Sequence, residues 1–177
     1  MFYVIGLGNP GEEYKGTRHN TGREAVDYFE SKNKISPKKL SIIHSNEFMN
    51  NSGRAVSKII KSKKAAQNLI VVHDDLDLPM GILKISYNKG VGGHRGLDSV
   101  VKAVKTKEFT RIRIGISPTT PKGKIKKPQG EKAVIDFILG KFKPTELEIM
   151  KKTFKKSSEA IQTIITDGRD RAMNMFN

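Results

Sequence analysis

The chain has 177 residues, 36% hydrophobic and 29% charged, with 33 Lys and Arg against 18 Asp and Glu and a net charge of +15. That length suits one domain with a sizeable core, and no apolar run approaches the ~18 residues of a membrane span. The absence of cysteine excludes disulfides, a thiolate nucleophile and Cys-ligated zinc, and fits a reducing cytoplasm. The cationic excess favours a polyanionic partner, nucleic acid above all, over lysine that merely decorates the surface. Lys38, Lys39, Arg54, Lys58, Lys61, Lys63 and Lys64 cluster in one stretch, and "KGKIKK" follows at 122–127. A membrane surface is the weaker partner, because no basic amphipathic helix with aromatic anchors stands out.

Residues 2–7 read as a buried strand; "MFYVIG" has no basic region before its apolar run, so it is not read as a signal peptide. "TGREAVDYFESK" (21–32) predicts a helix, with Thr21 and Glu24 spaced as a capping box. Residues 40–43 form a short strand candidate, and 52–64 a helix capped by Ser52. "NLIVVHDD" (68–75) is an apolar run ending in acid, the pattern of a central strand with functional groups at its carboxyl end. Residues 82–88 alternate as a more exposed strand, 90–96 are a glycine-rich loop, and a helix follows over about 97–105. "TRIRIGIS" (110–117) places Ile112, Ile114 and Ile116 on one face and Arg111 and Arg113 on the other. A polar Pro- and Lys-rich loop precedes a helix over 131–142. Pro144 opens a longer helix closed by Gly168, and 169–177 adds a last turn or two. Strands alternating with helices predict a single α/β domain over residues 1–177, with a mixed, largely parallel central sheet flanked by helices and C-terminal helices.

Gly6, Gly8 and Gly11 fit the Gly-x-Gly-x-x-Gly outline of a dinucleotide loop. Such a loop needs its helix to start at the glycines. Here Pro10-Gly11 intervenes and the next helix signal comes about ten residues later, so a tight turn that displays Asn9 is the better reading. His19 precedes a helix cap, and His73 and Asp74 end a strand. A histidine beside a carboxylate at the carboxyl edge of an open sheet suits a general base for water. Asn9 and Asn50 sit between strands and helices, where an amide can hold a carbonyl or an oxyanion; Asn20 reads as turn and capping chemistry. His44 reads as a surface histidine. Asp74, Asp75 and Asp77 have no His-x-x-x-His or His-Glu-x-x-His partner for a metal, and Gly-x-Ser-x-Gly is absent. What remains is water activated by histidine beside a basic surface.

These motifs resemble the bacterial-type peptidyl-tRNA hydrolases along nearly the whole chain. The matching segments are "GLGNPGEEYKGTRHNTG" (6–22), "FMNNSG" (48–53), "HDDLDLPMG" (73–81), "GVGGHRGL" (90–97), "RIRIGI" (111–116), "FILGKF" (137–142) and "DGRDRAMNMFN" (167–177). The resemblance implies cleavage of the ester between a peptide and the terminal ribose of tRNA, by a cytoplasmic monomer with neither metal nor organic cofactor. It implies that His19 is the base, that Asp74 orients it, and that Asn9 binds near the scissile group. Tyr14, Phe48, Met49 and Asn50 would contact the substrate end, with His94 and neighbouring glycines such as Gly92 as the opposite wall. Arg111, Arg113, Lys84 and Lys89 are the candidates for gripping the terminal phosphates of the tRNA, a contact that reads no bases.

Three departures from the family pattern stand out. Arg95 occupies the place of the usual Asn after the second loop histidine, which admits a phosphate contact there. Ser86 replaces a common lysine. The segment before Phe48 is short, as if a pair of strands were trimmed. The alternative is a non-catalytic, RNA-binding relative of the same fold; the presence of Asn9, His19, Asn50 and Asp74 argues for the hydrolase.

Overall fold

The computed structural model describes residues 1–33, 36 and 38–177. Its elements are β1 (Phe2–Gly6), α1 (Thr21–Lys32), β2 (Leu40–Ile42), α2 (Ser52–Ile59), α3 (Lys63–Ala66), β3 (Leu69–Pro79), β4 (Leu83–Tyr87), α4 (Arg95–Val104), β5 (Thr110–Ser117), α5 (Glu131–Leu139), α6 (Pro144–Asp167) and α7 (Arg169–Phe176). The sheet order is β2-β1-β3-β5-β4, parallel except for β4, which pairs antiparallel with β5. The mixed, mostly parallel sheet flanked by helices is the architecture the sequence pattern predicts. Among the described residues no helix is long and apolar enough to cross a membrane.

The period of two along β3 explains the two layers. Ile70 and Val72 point into one core with Ala25, Val26 and Phe29 of α1 and Ile161 and Ile164 of α6. Leu69 and Val71 point into the other with Val56 of α2 and Leu97 and Val100 of α4. Each large side chain so buried is worth about 1.5–3 kcal/mol. On the second face, Val71 is followed across the sheet by Arg111 and then Ser86, and His73 by Arg113 and Lys84. The apolar layer therefore stops at β3, and the outer half of that face is polar.

Helix starts differ from the expected caps, twice for the same reason. A 3₁₀ turn at Arg18–Asn20 runs straight into α1, so Thr21 is already helical and its hydroxyl donates back to Arg18 O at 2.7 Å. Glu24 does not close a capping box; its carboxylate accepts from Gly16 N at 2.6 Å. Likewise Met49–Asn51 is a 3₁₀ turn, and Ser52 Oγ donates to Met49 O at 2.7 Å instead of capping α2. The helix predicted over 52–64 stops at Ile59: Ile60 turns extended and stays buried, and Ser62 caps α3 by accepting from Ala65 N at 3.1 Å. α4 begins at Arg95, two residues earlier than predicted, and α5 ends at Leu139. β3 continues past Asp75 to Pro79, because β5 keeps pairing with it across a bulge. Between α1 and Phe48 the described residues hold one three-residue strand, β2; the predicted shortening falls partly on residues 34, 35 and 37, outside the described residues.

The glycines at the start serve packing. A Cβ on Gly6 would lie 2.2 Å from Gly22 O, and one on Gly22 would lie 2.2 Å from Val72 O. Only glycine lets β1, α1 and β3 approach this closely. The residues after the glycines form a 3₁₀ turn at Glu12–Tyr14, and α1 starts at Thr21, so the helix end a dinucleotide loop needs is elsewhere. The close approach has a consequence for chemistry: it sets the loop between β1 and α1, with Asn9 and His19, against the carboxyl end of β3.

Candidate active site

A cleft of about 960 Å³ opens at the carboxyl edge of β1 and β3 and extends over the polar outer half of the sheet. Asn9, His19, Phe48, Met49, Asn50, Asp74, Lys89, Gly92, His94, Arg95, Arg111 and Arg113 all line it, so the structure brings together most of the residues singled out from sequence. Tyr14 lies at the rim, its ring edge-on to Phe48 at 6.2 Å. Lys84 is exposed on β4 and does not line the cleft.

His19 and Asp74, 55 residues apart, are in contact: His19 Nδ1 lies 3.0 and 3.1 Å from the two carboxylate oxygens. Both side chains are buried. Burial opposes ionisation of Asp74, but His19 and then His94 outweigh it and hold the carboxyl well below the usual carboxylate range. An ionised carboxylate only accepts, so Nδ1 of His19 carries the proton. Neutral His19 therefore has its free lone pair on Nε2. Burial pulls the His19 pKa down; the charge of Asp74 and its hydrogen bond more than offset this, and the net direction is upward. His73, next on β3, donates Nδ1–H to Asp74 O at 2.7 Å, and burial, with His94 nearby, lowers it to about 3. It is a neutral wall, not a second base.

Asn9 is fixed by Asn20, a residue whose place before α1 predicts a cap. Asn20 makes no cap hydrogen bond. Its amide accepts from Asn9 N at 2.8 Å and donates to Asn9 O at 2.9 Å, holding both backbone groups of Asn9. Asn9 Oδ1 in turn accepts from Met49 N at 2.8 Å. With the oxygen committed, the Nδ2 amide is left as a donor in the cleft that His19 also lines. Met49 is packed behind it, while Asn50 and Phe48 are exposed at the mouth.

Arg18 was also missed. Its buried guanidinium donates to Gly140 O and Lys141 O at 3.2 and 3.1 Å and to Glu146 at 2.8 Å, with the Phe137 ring 4.5 Å away. Glu146 also accepts from Lys143 N at the start of α6. The turn that carries His19 is thus tied to the α5–α6 connection. An arginine immediately before the candidate base was the available signal, but its partners lie some 120 residues away.

Arg111, expected to grip phosphate, is instead 1% exposed and donates to Gly90 O and Lys89 O at 2.6 Å each. It holds the glycine-rich loop from beneath and forms cleft floor. Arg113 donates to Asp75 at 2.6 Å and is partly open to the cleft. At the rim, Arg95 pairs with Glu131 at 2.7 Å and Lys127 pairs with Asp77, so α5 and the loop before it are tied across the opening by exposed charges. The apolar side chains of α5, none fully buried, make the far wall through Val134, Ile135, Ile138 and Leu139.

By distance, His19, Asp74 and His94 could group around a cation. The protonation pattern opposes it. His94 Nδ1 accepts from Gly96 N at 3.1 Å and Leu97 N at 3.3 Å at the start of α4, so Nε2 carries the proton and presents an N–H, not a lone pair, to Asp74.

A model of the family described as "Peptidyl-tRNA hydrolase" matches residues 3–177. The chain belongs to the peptidyl-tRNA hydrolase family. It is 35% identical over 195 residues to a peptidyl-tRNA hydrolase of Alkaliphilus oremlandii, with the whole of both chains covered. It is 37% identical, again over the whole of both, to one from Dehalococcoides mccartyi. Among solved structures, the peptidyl-tRNA hydrolase of Acinetobacter baumannii superposes with a TM-score of 0.83 at 28% identity, covering 100% of this chain and 94% of that one. Within this member of the family, Arg95 stands at the first turn of α4 and meets Glu131, and Ser86 is buried on the cleft floor beside Arg111.

Proposed function

We propose that this chain hydrolyses the ester of peptidyl-tRNA with a water activated at Nε2 of His19, releasing the peptide and free tRNA. The contact between His19 and Asp74, with Nε2 left free at the cleft, carries the reading. Asp74 holds the ring in the Nδ1–H form and stabilises the imidazolium that forms when water gives up its proton. The Asn9 amide donor suits the carbonyl oxygen as it gains charge. The ribose oxygen leaves and takes a proton back from His19, so the base is restored. No step requires a metal or an organic cofactor.

The tRNA end enters along the cationic side of the cleft, where Lys89, Arg95 and Arg113 meet phosphates without reading bases, and Lys84 extends the cationic surface along β4. The peptide lies toward Phe48, Met49 and the apolar wall of α5. The protein works as a cytoplasmic monomer, with the proposed site lined, among the described residues, by this chain's own side chains. The test is release of free tRNA and blocked amino acid from N-acetyl-aminoacyl-tRNA in the presence of a chelator. Turnover without added metal supports the reading; binding of tRNA with no turnover would leave an RNA-binding module of the same fold.

A further inference from the structure

Asp74 serves two histidines, and the second is not accounted for by acting as a wall. His94 Nε2 lies 3.0 Å from Asp74 Oδ1, the oxygen that His19 Nδ1 approaches at 3.1 Å. The His19 and His94 rings are 5.1 Å apart. The tautomer of His94 is fixed from its other side. As the N-cap of α4 it must accept from the backbone N–H groups of Gly96 and Leu97 through Nδ1. A neutral imidazole that accepts at Nδ1 can only donate at Nε2. Gly96 preserves this arrangement, because a Cβ there would meet Met49 Sδ at 2.4 Å and the His94 ring at 3.2 Å.

We propose that His94 is a positioning residue: the start of α4 fixes its tautomer, and the N–H so presented to Asp74 shares the carboxylate with His19 and keeps His19 a neutral base near physiological pH. This inference rests on the reading of His19 as the base. An ionised Asp74 bonded to His19 alone would hold the His19 proton more firmly and favour the imidazolium, which cannot accept a proton from water. A second donor draws off part of that charge. The other groups facing the pair act in known directions: His73 on β3 is neutral, Arg95 on α4 repels a charge on His19, and Asp75 on β3 is taken up by Arg113.

The tautomer is read on the intact protein by long-range ¹H–¹⁵N NMR of the imidazoles. His94 with a bare Nδ1 and a protonated Nε2 is expected; the Nδ1–H form would overturn the proposal. Function is read with His94→Asn, which retains a favoured N-cap and removes the donor to Asp74. The acid limb of kcat/KM on N-acetyl-aminoacyl-tRNA should move up by about one pH unit, with a loss of about tenfold on that limb, near-recovery at alkaline pH and little change in KM. A merely structural role lowers kcat/KM equally at every pH. An unmoved limb with an unmoved His19 titration would sink the proposal while leaving His19 as base; activity that survives His19→Ala would sink the underlying reading instead.

Discussion

The inner and outer halves of the cleft are built on opposite physical terms. At the carboxyl ends of β1 and β3, two buried groups are each held by their own hydrogen bonds: His19 and His94 share Asp74, and Asn9 is fixed by Asn20 and Met49. At the rim, Arg95–Glu131 and Lys127–Asp77 are exposed ion pairs between elements that touch in few other places. Buried polar networks lose much when one member goes, because the partner is left unpaired. Exposed pairs are worth about 0–1 kcal/mol and are screened by salt. The contrast matches the proposed division of labour, with chemistry at one atom in the inner half and grip on a polyanion in the outer half.

The largest effect expected on that contrast is Asp74→Asn. It allows the wrong His19 tautomer and removes the charge that stabilises the imidazolium, so kcat should fall by about 10³–10⁴ with KM nearly unchanged, as steady-state kinetics would show. Arg111→Met is next. It leaves the carbonyls of Lys89 and Gly90 without their donor and should cost about 2–4 kcal/mol in denaturant unfolding, though it lies on the cleft floor. A loss under 0.5 kcal/mol would mean that the glycine loop needs no brace.

pH sharpens the same comparison. As the proposed base His19 must be neutral, and its pKa is raised, so kcat/KM should fall as pH drops with a midpoint above 6.5. Stability takes the other sign: the His19 contribution is full below about 6.5 and is lost as pH rises through the folded value. Asp74 is held low, so its contribution is present above about 3.8 and is lost only in strong acid. Unfolding free energies across pH would show both. At the rim, raising salt should weaken tRNA binding steeply, because phosphate contacts release counterions. Glu131→Gln should change stability by less than about 1 kcal/mol. A stability loss at Glu131 as large as at Arg111 would erase the distinction between the two halves.

The sequence made the inner half legible where chemistry and strand ends coincide. His19 and Asp74 stood out because a base and an acid each closed a segment pointing to the same edge of a parallel sheet. Asn20 was misjudged because an asparagine before a helix has a local explanation, and its real partner is the backbone of Asn9 across a turn. Arg111 was misjudged for a different reason. Alternation along β5 gave its face correctly, but not whether that face met solvent or the loop at residues 88–93. The double use of Asp74 was hidden as well, since the cap that orients His94 depends on α4 beginning two residues earlier than its apolar pattern suggests.

On the proposed mechanism, chemistry resides at one nitrogen and grip resides elsewhere. Single-turnover cleavage and equilibrium tRNA binding, measured together on His19→Ala, test it most directly. The expected result is a rate reduced by about 10³ or more with a dissociation constant within about threefold of the parent. Cleavage at near-parental rate, or loss of binding in step with loss of cleavage, would contradict it.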